Sequence, residues 1–253
     1  MPSVTEILDM LAKPALVPWA VGLAVKYCEA HAGEEGVFSA AKTEYRSASD
    51  AAMDIGSVVH HAIESHCAGC QPDFSGLDGE NREKALVSYQ SFLAWEGSHS
   101  VRWLGSEIAV RNSRFYAGKL DALANVDGVD MIIDVKTSNA IYNEYFIQLA
   151  MYQAALEWTR QNPSEYLDTY KMPHKMQYHG QFSHQPEAAV LRVPKDGGAA
   201  EFKTMSFEKL REKQLAGFAA CVLYYGESAR RLKGNKVTAA EAWEYFGGEM
   251  QCF

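Results

Sequence analysis

A chain of 253 residues with 47% hydrophobic and 22% charged residues has the apolar content for a full core, which excludes a disordered or collagen-like protein. Its formal net charge of -8 weighs against a surface-wide field for polyanions. That excess is local, however: residues 1–100 carry 6 Lys and Arg against 14 Asp and Glu, whereas residues 101–253 carry 18 against 18. No apolar run reaches the roughly 18 residues of a bilayer span, and the N-terminus has neither a basic secretory leader nor an Arg-rich transit character. A soluble, cytoplasmic protein is expected, and its odd set of cysteines, Cys28, Cys67, Cys70, Cys221 and Cys252, reads as reduced thiols rather than a disulfide framework.

Ser3-x-x-Glu6 has the form of a capping box ahead of Ile7, Leu8 and Leu11, so a short helix is expected there, interrupted by Pro14 and Pro18. A second helix is predicted from Trp19 to Tyr27, a third from Ser49 to His66 and a fourth from Glu80 to Trp95, with the Pro-, Asp- and Gly-bearing stretch from Gln71 to Gly79 as a loop. Residues 1–100 are thus read as mainly helical. The pattern then turns to period two, predicting strands at Val101–Val110, Tyr116–Val126 and Val129–Thr137. Helical spacing returns from Glu144 to Gln161, ending before Pro163. A second hairpin is expected from Ala188–Val193 and Ala200–Met205 around Lys195-Asp-Gly-Gly198, and helices from Phe207 to Tyr225 and Ala239 to Phe246. The expected architecture is one α/β (α+β) domain over residues 1–253, a central mixed sheet flanked by helices with a helical N-terminal part. Its sections are the helical residues 1–100, a sheet and helix over 101–205, and C-terminal helices over 206–253.

Asp127-Gly128 between two strand-like runs is a strong hairpin signal. If these two residues form the turn, positions whose numbers sum to 255 face each other, which sets Asp121 directly across from Asp134 on a non-hydrogen-bonded site. Two carboxylates that close repel unless a cation lies between them, and hard divalent ions suit such oxygen ligands. Lys136 follows two residues after Asp134 and shares its face, so Asp134-Val-Lys136 combines a metal-binding carboxylate, a backbone carbonyl at Val135 and an ammonium able to orient water or offset negative charge. A solvated hairpin face is the alternative for that triplet. Upstream, Gly56, His60 and Glu64 form one stripe of a helix, with His60 as the candidate imidazole ligand. Downstream, Gln148 and Tyr152 face one way, with a packed helix flank as their alternative.

The order Gly56-x-x-x-His60, Glu107, Gly118-Lys-Leu-Asp121, Asp134-Val-Lys136-Thr137 and Gln148-x-x-x-Tyr152 resembles the RecB-type, phage-exonuclease branch of the PD-(D/E)xK nucleases over about residues 50–155. The start of the chain, from Ser3-Val4-Thr5 to Trp19, is similar to phage-borne members. The resemblance implies a restriction-endonuclease-like core, with His60, Asp121, Asp134 and the Val135 carbonyl around Mg2+ or Mn2+, as two ions. It also implies Lys136 as the catalytic lysine, Glu107 as a further participant, and Gln148 and Tyr152 as substrate-side residues. Some relatives carry an iron-sulfur cluster on one upstream cysteine and a downstream trio; here Cys67 and Cys70 precede the core and only Cys221 and Cys252 follow, so a cluster is not expected.

The expected function is metal-dependent exonucleolytic hydrolysis of linear single- or double-stranded DNA, in recombination, repair or degradation in a bacterial or phage-infected cell, with a homo-oligomer or a recombination protein as partner. A structure-specific endonuclease or nickase on the same core, and a non-catalytic DNA-binding subunit, are the alternatives. Basic clusters at Lys203, Lys209, Arg211 and Lys213 and at Arg230, Arg231, Lys233 and Lys236, with the aromatics Tyr142, Tyr145 and Phe146, are candidates for holding a strand; solvated helix faces and core packing are the alternatives for them.

Overall fold

A computed structural model describes residues 1–11, 13, 16–162, 185–231 and 238–250. Within them, α1 (Val4–Leu8), α2 (Leu16–Ala30), α3 (Val37–Cys67) and α4 (Gly79–Gly97) precede the strands β1 (Val101–Asn112), β2 (Tyr116–Val126) and β3 (Val129–Lys136). Helix α5 (Asn143–Gln161), strands β4 (Glu187–Arg192) and β5 (Glu201–Met205), and helices α6 (Phe207–Arg231) and α7 (Ala239–Met250) follow. Pro14, Pro163, Lys233, Lys236, Cys252 and the side chains of Arg230 and Arg231 lie outside the described residues.

The capping box forms as expected: the Ser3 N–H donates to the Glu6 carboxylate at 2.6 Å and the Glu6 N–H to the Ser3 hydroxyl at 3.1 Å. Two helices start earlier than the apolar periodicity suggests. Pro18 does not interrupt α2 but sits in its first turn, where a missing N–H has no intrahelical partner to lose. Helix α3 begins at Val37, after Gly36 in the left-handed region at φ 79°, twelve residues ahead of the predicted start. Between Val37 and Asp54 only Val37 and Ala41 are buried, and α2 packs on α3 with no buried residue of its own. A helix segment that buries so little shows too little apolar periodicity to be read from its sequence.

The fold is α+β: a five-stranded mixed sheet in the order β1-β2-β3-β4-β5, flanked by helices. Asp127 and Gly128 both have positive φ, at 51° and 91°, as a two-residue hairpin of the primed type requires. Strands β1, β2 and β3 run as an antiparallel meander, β3 pairs with β4 in parallel, and β4 with β5 antiparallel as the second hairpin. Alternation along the strands separates two cores. Leu123, Ile132 and Val190 pack under α5 and α6, with α1 and α7 joining, while Ala122, Ile133, Val135 and Leu191 pack under α3 and α4. Strand β3 is buried on both faces from Met131 to Val135, which fits its nearly continuous apolar run and makes Asp134 the exception in it.

Among the described residues, no helix is long and apolar enough to cross a membrane. Cys28, Cys67, Cys70 and Cys221 are free thiols; burial pushes Cys67 and Cys221 up to about 12, so both stay protonated and inert.

Candidate active site

The hairpin arithmetic holds from Val126↔Val129 to Ala122↔Ile133 and then stops. Asp121 and Asp134 are not a ladder pair, because the Asp121 carboxylate takes the Val135 N–H at 2.8 Å in place of a strand carbonyl. The expected direct opposition is therefore corrected to a splayed end of the β2–β3 pair, with one carboxylate turned onto the backbone beside the other.

Asp134 is 2% exposed. The Lys136 ammonium lies 2.8 Å from each of its oxygens, but it is aligned as a donor only toward Oδ1, so Oδ2 is buried without a hydrogen-bond partner. Oδ2 is therefore held by the ammonium charge alone, and a buried carboxylate oxygen with accepting capacity left over can take a ligand. Burial pushes Asp134 up to about 6, against the pull of Lys136. Burial alone would lower Lys136, but the carboxylates of Asp134 and Asp121 outweigh it and hold the amine charged. Its ammonium also stands 5.1 Å from the ring centroid of Tyr145, a cation–π contact.

Helix α3 brings the imidazole. A Cβ at Gly56 would stand 3.3 Å from the Thr137 hydroxyl, so the helix approaches the end of β3 at the one position of the stripe that lacks a side chain. One turn later His60 Nδ1 is 3.5 Å from Asp121 Oδ2. Burial, then the Lys136 charge, lower the His60 pKa and favour the neutral ring that can ligate a metal. Burial raises Asp121.

Glu107 lies between the pairs Ser106↔Ala122 and Ile108↔Leu120, which sets it opposite Asp121, and it holds φ 50°, a conformation uncommon outside glycine. Its carboxylate is paired with the Lys119 ammonium. On α5 the Gln148 amide donates to the Tyr152 hydroxyl at 3.1 Å, and the Tyr152 ring lies over Gly118, where a Cβ would come within 2.5 Å of it. Tyr152 is 7% exposed and burial pushes it up to about 12, so its phenol stays neutral. Gly118 in the sequence motif is thus a close-approach glycine that seats Tyr152.

The residues of five segments therefore meet: His60 from α3, Asp121 from β2, Asp134, Val135 and Lys136 from β3, with Glu107 of β1 beside Asp121 and Gln148–Tyr152 bonded to each other on α5. One neighbour escapes the sequence reading. Arg192 is in register with Lys136 across the parallel pair, and its guanidinium bonds Glu201 and the Ser138 carbonyl. Only the β3–β4 pairing reveals it. Phe146, proposed to stack on a strand, is 2% exposed in the core and is not available, whereas Tyr142 is 37% exposed. Lys203, Lys209 and Arg211 are exposed and Lys213 is half-buried.

The donors, carboxylate oxygens and an imidazole whose neutral form burial favours, have the chemistry of a hard divalent ion site, and Asp134 Oδ2, which accepts no hydrogen bond, fits one. Among the described residues no three of His, Cys, Asp and Glu are close enough to form a ready-made cluster. In this arrangement the Lys136 ammonium compensates Asp134, and the Asp121 carboxylate is committed to Val135 and His60. No protein-family model and no curated protein matches the sequence.

Proposed function

We propose that the protein is a metal-dependent deoxyribonuclease of the PD-(D/E)xK type, built on a restriction-endonuclease-like core and acting on linear DNA from its ends. One observation carries the reading: a carboxylate buried in the central strand, ion-paired through both oxygens with a lysine two residues on and with one oxygen accepting no hydrogen bond, beside a second carboxylate and a histidine. Asp134, Asp121 and His60, with the Val135 carbonyl, would hold Mg2+ or Mn2+. When bound, the ion supplies a water of lowered pKa and offsets charge on the phosphate.

The chain's own residues do the rest. Lys136, charged throughout the neutral range, points an N–H at the attacking water and at the phosphate oxygens as charge develops. The attacking water gives up a proton to solvent as its oxygen bonds to phosphorus, the bond to the departing sugar oxygen breaks, and that oxygen leaves with a proton from solvent or a second water. The neutral Tyr152 hydroxyl and the Gln148 amide offer hydrogen bonds to the scissile strand, and Glu107 keeps Lys119 at the mouth of the site. The test is cleavage of end-labelled linear single- and double-stranded DNA and of a closed circle in Mg2+, Mn2+ and EDTA. Loss of the linear substrates alone, dependent on metal and abolished in Asp134→Asn, is expected. Cutting of the circle would make the site endonucleolytic, and no cutting in either metal would remove the enzymatic reading.

A further inference from the structure

The N-terminal half of α3 carries a stripe that the candidate site does not use. Phe38, Lys42, Tyr45, Met53, Gly56 and His60 recur at spacings that keep one face of an α-helix, so the stripe ends in the two residues that meet the carboxylate end of the sheet. Its outer part is open: Phe38 is 75% exposed, Met53 60% and Tyr45 36%. Lys42 and Arg46 are exposed beside the aromatics, and the Arg46 guanidinium donates to the Tyr45 hydroxyl at 3.1 Å and lies 5.7 Å from that ring's centroid. Of the acidic residues of this half, Glu44 and Asp54 fall on other faces of the helix by its 100° step, and Asp50 stands one turn beyond Arg46 at the edge of the stripe. An acidic N-terminal region thus presents one face on which exposed aromatics are interleaved with Lys42 and Arg46, with a single carboxylate, Asp50, at its edge. That combination suits the bases and phosphates of a single nucleic-acid strand.

We propose that this face of α3 is the track on which a single DNA strand lies as it enters the site, bases against Phe38 and Tyr45 and phosphates on Lys42 and Arg46. The proposal deepens the nuclease reading and rests on it. Two features select a strand as the occupant: the charge complementarity of the face, and its continuity with His60 over about 33 Å of helix. The exposed Val17, Val21 and Val25 of α2 make a second copy of the chain the rival occupant.

The test is the anisotropy of fluorescein-labelled oligothymidylate in EDTA across a salt series, with sedimentation of the same samples. Phe38→Ala should weaken binding roughly tenfold, as loss of one stacked base does. Lys42→Ala/Arg46→Ala should reduce the slope of log K against log salt by about 1.4, the value for two single-strand phosphate contacts. Lys26→Ala, the same charge removed from the far side of α2, should leave affinity and slope at wild-type values. In Mn2+, the KM for the strand should rise by the same factor as the Kd. Melting curves of the variants should match the wild type, since every changed side chain is exposed.

Wild-type affinity and slope in Phe38→Ala and Lys42→Ala/Arg46→Ala would overturn the track, and the nuclease reading would stand if the wild type still cleaves and Lys136→Ala does not. A dimer dispersed by Phe38→Ala with DNA affinity unchanged would assign the face to a second copy, and likewise overturn it. A wild type that neither binds nor cuts DNA would overturn both.

Discussion

Helix α3 carries His60 and, six residues on, His66, and their surroundings differ in one respect. His66 has a partner at both ring nitrogens: its Nε2 lies 2.7 Å from Glu96 Oε2, its Nδ1 3.0 Å from the Tyr89 hydroxyl, and the second Glu96 oxygen accepts from the Trp103 indole at 2.6 Å. Every polar group of that cluster has a partner, and rings of Phe92 and Tyr89 pack around it. His60 stands 3.5 Å from its carboxylate, and the neighbouring Asp134 Oδ2, buried 2.8 Å from the Lys136 ammonium, accepts no hydrogen bond. A satisfied polar network adds rigidity; an unfinished one in the core retains capacity for a ligand. The first cluster is a closed structural network, and the second is the one to which the proposed function assigns the chemistry.

The contrast breaks most sharply at Lys136. Lys136→Ala removes the ammonium aimed at the site, and DNA cleavage should fall by on the order of 10^2–10^3 in kcat. In EDTA the same variant leaves Asp134 buried without its counter-charge and should melt lower, with Mn2+ restoring more of its melting temperature than in the wild type. Glu96→Ala tests the other cluster. It orphans His66 and the Trp103 indole and should cost about 1–3 kcal/mol in urea unfolding, while kcat at a temperature where the variant stays folded remains that of the wild type.

Gly118→Ala sharpens the comparison inside the site. The new methyl meets the buried Tyr152 ring, so a stability loss of about 1–3 kcal/mol is expected, with a raised KM as the Gln148–Tyr152 pair is displaced. Acidification acts on the same carboxylate without mutation. Asp134 is raised to about 6 in the folded state, so that state binds its proton more tightly than the unfolded chain. The stability contribution of this group is present at low pH and is lost as the pH rises through about 6, and a metal must compete with the proton below that value. The gain in melting temperature from Mn2+ should therefore shrink as the pH drops below about 6 and be absent in Asp134→Asn. Gly56→Ala should do least. Its methyl would press the Thr137 hydroxyl by a few tenths of an ångström while adding helix propensity of about 1 kcal/mol, so melting should stay within a degree or two of the wild type.

What was legible in the sequence follows from local chemistry. Asp127-Gly128 dictates its turn, and with it the register that brings Asp121 and Asp134 to the same end of two strands. Period-two runs gave the strands β1 to β3, and the capping box gave α1. The stopping of the ladder at Ala122↔Ile133 was hidden, because a side-chain carboxylate replacing a strand carbonyl leaves no mark on alternation. Arg192 beside Lys136 needed the parallel β3–β4 register, a contact between segments 56 residues apart, and no local pattern encodes it. The start of α3 escaped because that half-helix is mostly exposed, and Phe146 was taken for a surface ring because one aromatic on an amphipathic helix does not declare its face.

The most direct measurement of the difference between the two clusters is calorimetric titration of Mn2+ into the wild type, Asp134→Asn and Glu96→Ala at neutral pH. Saturable binding in the wild type and Glu96→Ala, with none in Asp134→Asn, is the predicted result. Equal binding in Asp134→Asn, or loss of binding in Glu96→Ala with its fold intact, would contradict the assignment of the metal to the unfinished cluster.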